Sequence, residues 1–405
     1  MKKFVIPEKY RSSIIGSVKE WRKSKDPRKQ DFTPTYLDLG PLEIVLPRHF
    51  GFCYGVENAI EISYKAIEEN PGRRIFLLSQ MIHNPAVNDD LESRGIEFIM
   101  DTEGHQFIPW EEVTPEDVVI IPAFGTTLEI EQILKEKGVE TKKYNTTCPF
   151  VEKVWKRSSE IGGKGYTNII HGKHKHEETR ATFSHSAAHA ASVIVRDIQE
   201  AERLAEYVKG NKSKEEFEKE FAGKYSAGFD PGRDLKKVGV VNQTTMLATE
   251  TQEIADYFKK LVVSLYGEDA FADTRDTLCY ATNDNQDATM GALQSGADLA
   301  LVIGGYNSSN TSQLVTILSE KMPVYFIKDA DEIISENHIF HFVYAQQKRI
   351  EAHQWLPKKD KVKIVITSGA SCPDPVVEAV LRKVQSFFPN ANKIENVLED
   401  LVGME

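Results

Sequence analysis

Three of the four cysteines in this chain occupy the same local setting. Cys53 lies in Gly51-Phe52-Cys53-Tyr54-Gly55-Val56, Cys148 in Thr147-Cys148-Pro149-Phe150, and Cys279 in Leu278-Cys279-Tyr280-Ala281-Thr282. Each follows a short extended run and opens a run with helical spacing. A thiol at a helix N-terminus feels the positive end of the macrodipole and unpaired backbone N–H groups. That setting lowers the thiol pKa and favours the thiolate, the form that binds metal. Three such thiols spread along the chain point to three lobes supplying one metal or iron–sulfur centre. Zinc fingers use close cysteine pairs, whereas iron–sulfur clusters accept dispersed thiolates, most often four. Three ligands would leave one iron open to substrate. Cys372, in Gly369-Ala370-Ser371-Cys372-Pro373, also precedes a helix-like run, and spacing alone leaves it open as a fourth ligand. The competing expectation for any single cysteine is an inert, buried thiol.

Polar clusters fall at similar places. His171-Gly172-Lys173-His174-Lys175-His176-Glu177-Glu178-Thr179 packs three His, two Lys and two Glu after a strand. Imidazole and ammonium groups can hold a phosphate while a carboxylate moves protons. His174 and His176 could instead bind zinc, or the segment could be a solvated turn; the two lysines weigh against a cation. Asn307-Ser308-Ser309-Asn310 follows an apolar strand and begins a helix, a neutral anion cradle or ordinary N-capping. Ser371 has the same placement. Gln243-Thr244-Thr245 and His83-Asn84-Pro85 read as polar turns that gain weight only beside the other clusters.

The elements that must position these residues alternate. Strands are expected near 43–47, 74–79, 118–122, 168–170, 192–195, 299–303, 324–327 and 362–367. Helices are expected over 54–69, 86–94 and 128–137, from 149, from 199, and over 311–320 and 375–387. Strand–helix alternation implies parallel α/β sheets, whose ligands bind at the carboxyl ends of the strands. Residues 1–42 read as an N-terminal extension with an amphipathic surface helix. Lobes are expected over 43–145, 146–278 and 279–405. The charged stretch 209–237 breaks the rhythm and reads as a surface insertion in the middle lobe. No short sequence repeat is visible.

The totals bound the class. The chain has 405 residues, a net charge of -11 and 40% hydrophobic residues, which suits an acidic, soluble protein of two to three domains. General nucleic-acid binding needs a basic surface and is not expected. No apolar run of 18 residues suggests a membrane span. Four widely spaced cysteines are not a disulfide framework, so a reducing cytoplasm is expected. The first 30 residues hold ten Lys/Arg and three Asp/Glu but lack the apolar core of a signal peptide.

Taken together, the clusters resemble the 4-hydroxy-3-methylbut-2-enyl diphosphate reductase family, in its longer cyanobacterial and plastid-like branch. The resemblance runs from about Pro47 to about Val380. It rests on Gly51–Val56, His83-Asn84-Pro85, Thr147-Cys148-Pro149, His176-Glu177-Glu178, Gln243-Thr244-Thr245, Cys279–Thr282, Asn307–Asn310 and Gly369-Ala370-Ser371 in that order. It implies a pseudo-threefold trefoil of three α/β lobes around one 4Fe–4S cluster with three cysteine ligands and one open iron. Cys53, Cys148 and Cys279 match the ligands, and Cys372 drops out. His83, His176, Ser308, Asn310 and Ser371 match positions that hold the substrate diphosphate, with Ser309 beside them. Glu178 matches the proton-relay glutamate and Thr244 a hydroxyl near the substrate alcohol. One departure is visible. Many members carry a further histidine in an Ala-His-Gly turn, where this chain has Ala123-Phe124-Gly125. Phe124 cannot donate to phosphate; Lys173 and His174 are the candidates to replace that contact.

The implied reaction is a two-electron, two-proton reductive dehydroxylation giving isopentenyl and dimethylallyl diphosphate, the last step of the methylerythritol phosphate route. The implied electron donor is ferredoxin, flavodoxin or an NAD(P)H-fed reductase, since no Gly-x-Gly-x-x-Gly turn marks a nicotinamide site. A non-catalytic iron–sulfur sensor and a zinc-dependent diphosphate hydrolase are the alternatives.

Overall fold

Short, almost uninterrupted apolar runs such as Leu299–Ile303 and Val362–Ser368 cannot leave either face in water. They become central strands of parallel sheets, covered by helices on both sides. The computed structural model describes residues 4–274 and 277–403; the outermost residues of the first and last expected segments, and 275–276, lie outside them. Two compact units are present: Met1–Glu57 with His83–Asp89 and Tyr280–Glu405, and Asn58–Ile82 with Asp90–Cys279.

In the first unit, Leu42–Leu46, Val362–Ser368, Leu299–Ile303 and Val324–Ile327 pair in parallel, in that order. Thr35–Asp38 adds antiparallel to Leu42–Leu46 at the edge. Sequence order groups Leu42–Leu46 with the strands that follow it; hydrogen bonding instead places it beside Val362–Ser368. Parallel partners need only a crossover connection, so chain proximity does not choose them. Between Val324–Ile327 and Val362–Ser368 lies a three-stranded antiparallel sheet of Ile333–Ser335, His338–Val343 and Lys348–His353. The sequence reading passed over it because these strands mix His, Arg and Glu with their apolar residues and are half exposed.

The second unit carries two parallel sheets. One orders Ile96–Phe98, Ile75–Leu77 and Val118–Ile120. The other orders Ser192–Val195, Thr167–His171, Val238–Asn242 and Phe271–Ala272. The expected α/β class with mainly parallel sheets is what the chain adopts. One arrangement recurs three times. Cys53 follows the strand Leu42–Leu46, Cys148 follows Asn145, which bridges in parallel to Ile121, and Cys279 follows Phe271–Ala272. Helices then start at Tyr54, Pro149 and Tyr280.

The N-terminal extension does form a helix, Ser13–Lys25, capped by Ser12, whose hydroxyl accepts from Ile15 N at 2.9 Å. Its apolar stripe, Ile14, Ile15 and Val18, is buried in the same core as Val377, Val380 and Leu381. The stretch 209–237 is not the simple surface insertion expected. Its helix Lys214–Glu220 is closed by a Ser213–Glu216 capping box, and Phe217, Phe221 and Phe229 are buried against Tyr207 and Val208. Phe217 stacks on Phe221 and Phe229 at centroid distances of 5.2 and 5.1 Å. A few aromatic rings bury as much surface as a longer aliphatic stripe, so a charged segment with little periodicity still owns a core. Among the described residues, no helix is long and apolar enough to cross a membrane.

Candidate active site

The first unit assembles a cradle at the carboxyl ends of its central strands. Ser308 follows Leu299–Ile303 and caps the helix Ser309–Leu318; its oxygen accepts from Thr311 N at 3.2 Å and from the Thr311 hydroxyl at 2.9 Å. Asn310 Oδ1 accepts from Ala370 N at 2.8 Å, which ties the turn after Val362–Ser368 to the same helix start. Gly369 permits that approach, since a Cβ there would run into Thr311 Oγ1. Ser371 donates to the carbonyl of His83 at 3.2 Å, and Gly305 leaves room for that carbonyl in the same way. Cys53 joins the turn through its N–H, which donates to Ala370 O at 3.1 Å. Ser308, Ser309, Asn310 and His83 are all buried. Two donors in this cradle, Ser309 Oγ and Asn310 Nδ2, are buried without a protein partner among the described residues. Burying a polar group without a partner costs on the order of 1–3 kcal/mol, which an acceptor, water included, would relieve at either atom.

The second unit holds the rest in one connected chain. Cys148 caps Pro149–Gly162, and its N–H donates to Ala123 O at 2.9 Å. The next residue, Phe124, packs edge-on against His176, with ring centroids 5.5 Å apart at 84°. His176 caps the helix Glu177–Ala187, with Nδ1 accepting from Glu178 N at 3.2 Å. That bond assigns the remaining proton of a neutral ring to Nε2, which is left as a donor. Glu178 is 1% exposed, and its carboxylate accepts from Thr244 N. The carbonyl of Thr244 accepts in turn from Cys279 N at 3.5 Å. The backbone of one residue thus connects the buried carboxyl to the cysteine. Burial pushes the Glu178 carboxyl up to about 7, against the downward pull of the Thr244 backbone and side chain.

Neighbouring groups that sequence reasoning left open are otherwise engaged. Glu177 accepts from the Ser79 hydroxyl. Lys175 pairs with Glu103 at 2.9 Å, and the His174 ring lies near Gly223. Among the described residues, His174 and His176 gather no third metal-ligating group. Gln243 does more than fill a polar turn. Its Oε1 takes Lys173 N and Thr179 Oγ1, both at 3.1 Å, and its Nε2 donates to Thr245 Oγ1 at 2.7 Å, so it anchors the turns on either side of Glu178. A glutamine beside two threonines carries no sequence signal for such a bridge.

Residues 44–385 match the family model described as LytB protein. The chain belongs to the LytB protein family. Among relatives, it is 40% identical over 380 residues to the 4-hydroxy-3-methylbut-2-enyl diphosphate reductase of Cyanothece sp. (strain PCC 7425 / ATCC 29141), spanning 93% of this chain and 89% of that protein. Its fold is shared with two solved structures. The first, a structure of (E)-4-hydroxy-3-methyl-but-2-enyl diphosphate reductase, gives a TM-score of 0.51 at 24% identity over 85% of this chain and 99% of that one. The second, the E-1-hydroxy-2-methyl-but-2-enyl-4-diphosphate reductase from Plasmodium falciparum, gives 0.63 at 20% identity over 87% and 90%.

LytB proteins are iron–sulfur oxidoreductases, and the thiols present suit such a group. Among the described residues, none of the four cysteines is in a disulfide. The N–H groups of Gly55 and Val56 point at the Cys53 sulfur, yet burial outweighs them and pushes this thiol up rather than down. The helix N-terminus therefore does not by itself lower this thiol, contrary to the expectation from sequence. Cys372 differs. It is fully buried in the apolar core beside Phe50 and Val377, and burial pushes its thiol up to about 12.

The Phe124 ring backs His176. An edge-on aromatic pair contributes about 0.5–1.5 kcal/mol. Phe124→Ala is therefore expected to raise KM by about 2- to 12-fold with little change in kcat, because His176 loses its backing. Phe124→His is expected to improve substrate binding little. Steady-state kinetics check both, and an unchanged KM in Phe124→Ala would show that the ring does not position His176.

Proposed function

We propose the following account of the reaction and of the residues that perform it. The chain reduces 4-hydroxy-3-methylbut-2-enyl diphosphate to isopentenyl and dimethylallyl diphosphate, the last step of the methylerythritol phosphate route. Two electrons and two protons enter: one proton goes to the hydroxyl, which leaves as water as the allylic C–O bond breaks, and the electron pair and second proton form the new C–H bond at one or the other end of the allyl unit. The observation that carries the chemistry is Glu178, a buried carboxyl raised to about 7. Near neutral pH about half of this group holds its proton, as a general acid requires.

Diphosphate binding is assigned to His83, His176, Ser308, Ser309, Asn310 and Ser371. The free donors Ser309 Oγ and Asn310 Nδ2, and the N-terminus of Ser309–Leu318, support that assignment, since phosphate oxygens take N–H and O–H donors there. Holding the diphosphate orients the allylic alcohol, so its C–O bond is presented in a single geometry. Glu178 gives its proton to the departing hydroxyl through the Thr244 hydroxyl or the diphosphate. Cys53, Cys148 and Cys279 would hold a 4Fe–4S cluster, which would supply electrons and Lewis acidity there.

Electrons come from ferredoxin, flavodoxin or an NAD(P)H-fed reductase. A cavity of about 410 Å³ beside Cys53 carries Lys23 and Lys29, with Lys19 and Arg48 paired to Asp374 and Asp26, and suits the approach of an acidic carrier. Free thiols suit a reducing cytoplasm.

Turnover decides between this reading and a cluster-bearing sensor. Anaerobically purified, cluster-loaded protein with a chemical reductant is expected to convert the hydroxybutenyl diphosphate to both C5 diphosphates. Loaded protein that binds the substrate but releases neither product would overturn the assignment.

A further inference from the structure

We propose a divalent-metal site, best matched to zinc, on the antiparallel sheet of the first unit, formed by His338, Glu351 and His353. It lies outside every element assigned to the reductase reaction and does not depend on that assignment. His338 and His353 face each other directly across the ladder of His338–Val343 and Lys348–His353. Glu351, two residues before His353, projects on the same face because side chains alternate along a strand. His338 Nε2 lies 3.1 Å from Glu351 Oε2, and His353 Nε2 lies 3.9 Å from Glu351 Oε1. The two imidazoles stack at 4.7 Å between centroids, and one ligand atom from each residue falls within 4.8 Å of the others. Ligand atoms about 2.0–2.2 Å from a tetrahedral zinc lie roughly 3.3–3.5 Å apart. Small side-chain rotations would therefore close the set, with a water in the fourth position. Two imidazoles and a carboxylate are borderline donors, suited to zinc, nickel or copper rather than magnesium or calcium.

The charge around the site permits a cation. Arg349, the nearest arginine on the same strand face, lies over the Phe340 ring at 3.9 Å and bonds Glu332 at 2.8 Å. Its charge is thus already matched. The placement gives the metal a mechanical role. His338 and His353 close the open end of the hairpin, opposite the Tyr344–Gln346 turn. Beyond them the chain passes Gln354, in the left-handed region at φ +54°, to Trp355, which is buried in the main core. A metal at the mouth fixes both strands where they enter that core.

The test uses the full chain with its cluster loaded under anaerobic conditions, so that the cluster cysteines are occupied. Zinc is titrated in competition with a chromophoric chelator. One equivalent per chain is expected to bind and to raise the thermal midpoint. Loss of an outer-shell partner alone weakens metal sites about 10- to 100-fold. His338→Ala and His353→Ala should each weaken zinc by at least about tenfold, and Glu351→Gln should weaken it too. Reductase activity should stay unchanged in all three. Zinc affinity in His338→Ala/His353→Ala equal to that of the parent protein would overturn the site, as would binding with no rise in thermal midpoint for the mechanical role. Both readouts are independent of turnover, so a failure of the reductase reading would not imitate either result.

Discussion

Glu178→Gln is expected to lower kcat by about 10²–10⁴-fold, the usual cost of removing a positioned proton donor, and to leave KM nearly unchanged. The split follows from the geometry. Glutamine keeps an oxygen to accept from Thr244 N and keeps the volume, so the helix start and the His176 cap persist. What it lacks is the acidic proton, which matters only as the C–O bond breaks. The pH dependence carries a second signature. The wild-type rate should fall as pH rises through about 7, because the donor then ionises; the residual rate of the variant should lack that limb. Stability follows the same group. Its native pKa stands above the ordinary value of 4.5, so between about 4.5 and about 7 the native state binds more protons than the unfolded chain. The contribution of this group is full below that window, declines as pH rises through it and is level above. The thermal midpoint of the variant should lack this decline and stand above that of the wild type at pH 8. Turnover within about threefold of wild type would rule Glu178 out as the proton source. The Ser79 bond makes Glu177 a weak substitute.

Cys53→Ser, Cys148→Ser and Cys279→Ser should each abolish the cluster and the activity, while Cys372→Ser keeps both. Serine is a hard, poorly acidic ligand and does not replace a soft thiolate on iron. The four residues look alike in sequence, since each precedes a helix. They differ in surroundings. Cys53 and Cys148 are half-buried, and Cys279, though buried, is tied by its N–H to the carbonyl of Thr244. Cys372 is wrapped by aliphatic side chains with its thiol held protonated. Iron and sulfide analysis of anaerobically purified variants checks the series. Full iron content in any of the first three, or a colourless Cys372→Ser protein, would break the assignment.

The candidate site was legible as motifs because its residues cluster locally. Asn307–Asn310, His176–Glu178 and Gln243–Thr245 each sit at a strand-to-helix or strand-to-turn junction, and such junctions show in the sequence as an apolar run ending in Ser, Asn, His or Gly. The helix Tyr54–Glu69 and the strand Leu299–Ile303 were readable for the same reason: their apolar spacing is set by local geometry. The antiparallel sheet at 333–353 escaped because half-exposed strands carry histidine, arginine and glutamate that blur the pattern. The aromatic core of 209–237 escaped because four rings over that length have no period.

By itself the sequence determined the class of fold, the thiols and carboxyl available for chemistry, and the family, because motif order and local hydrophobic spacing survive without coordinates. Only the tertiary structure decided which groups are neutral and which are tied. It buried Glu178 and held it on Thr244, set Phe124 on the edge of His176, left Ser309 Oγ and Asn310 Nδ2 without partners among the described residues, and sealed Cys372 in the core. Each of these outcomes depends on desolvation and on contacts between residues 30 or more positions apart. Ionisation and hydrogen-bond satisfaction respond to what surrounds an atom in space, and neighbours along the chain do not specify that.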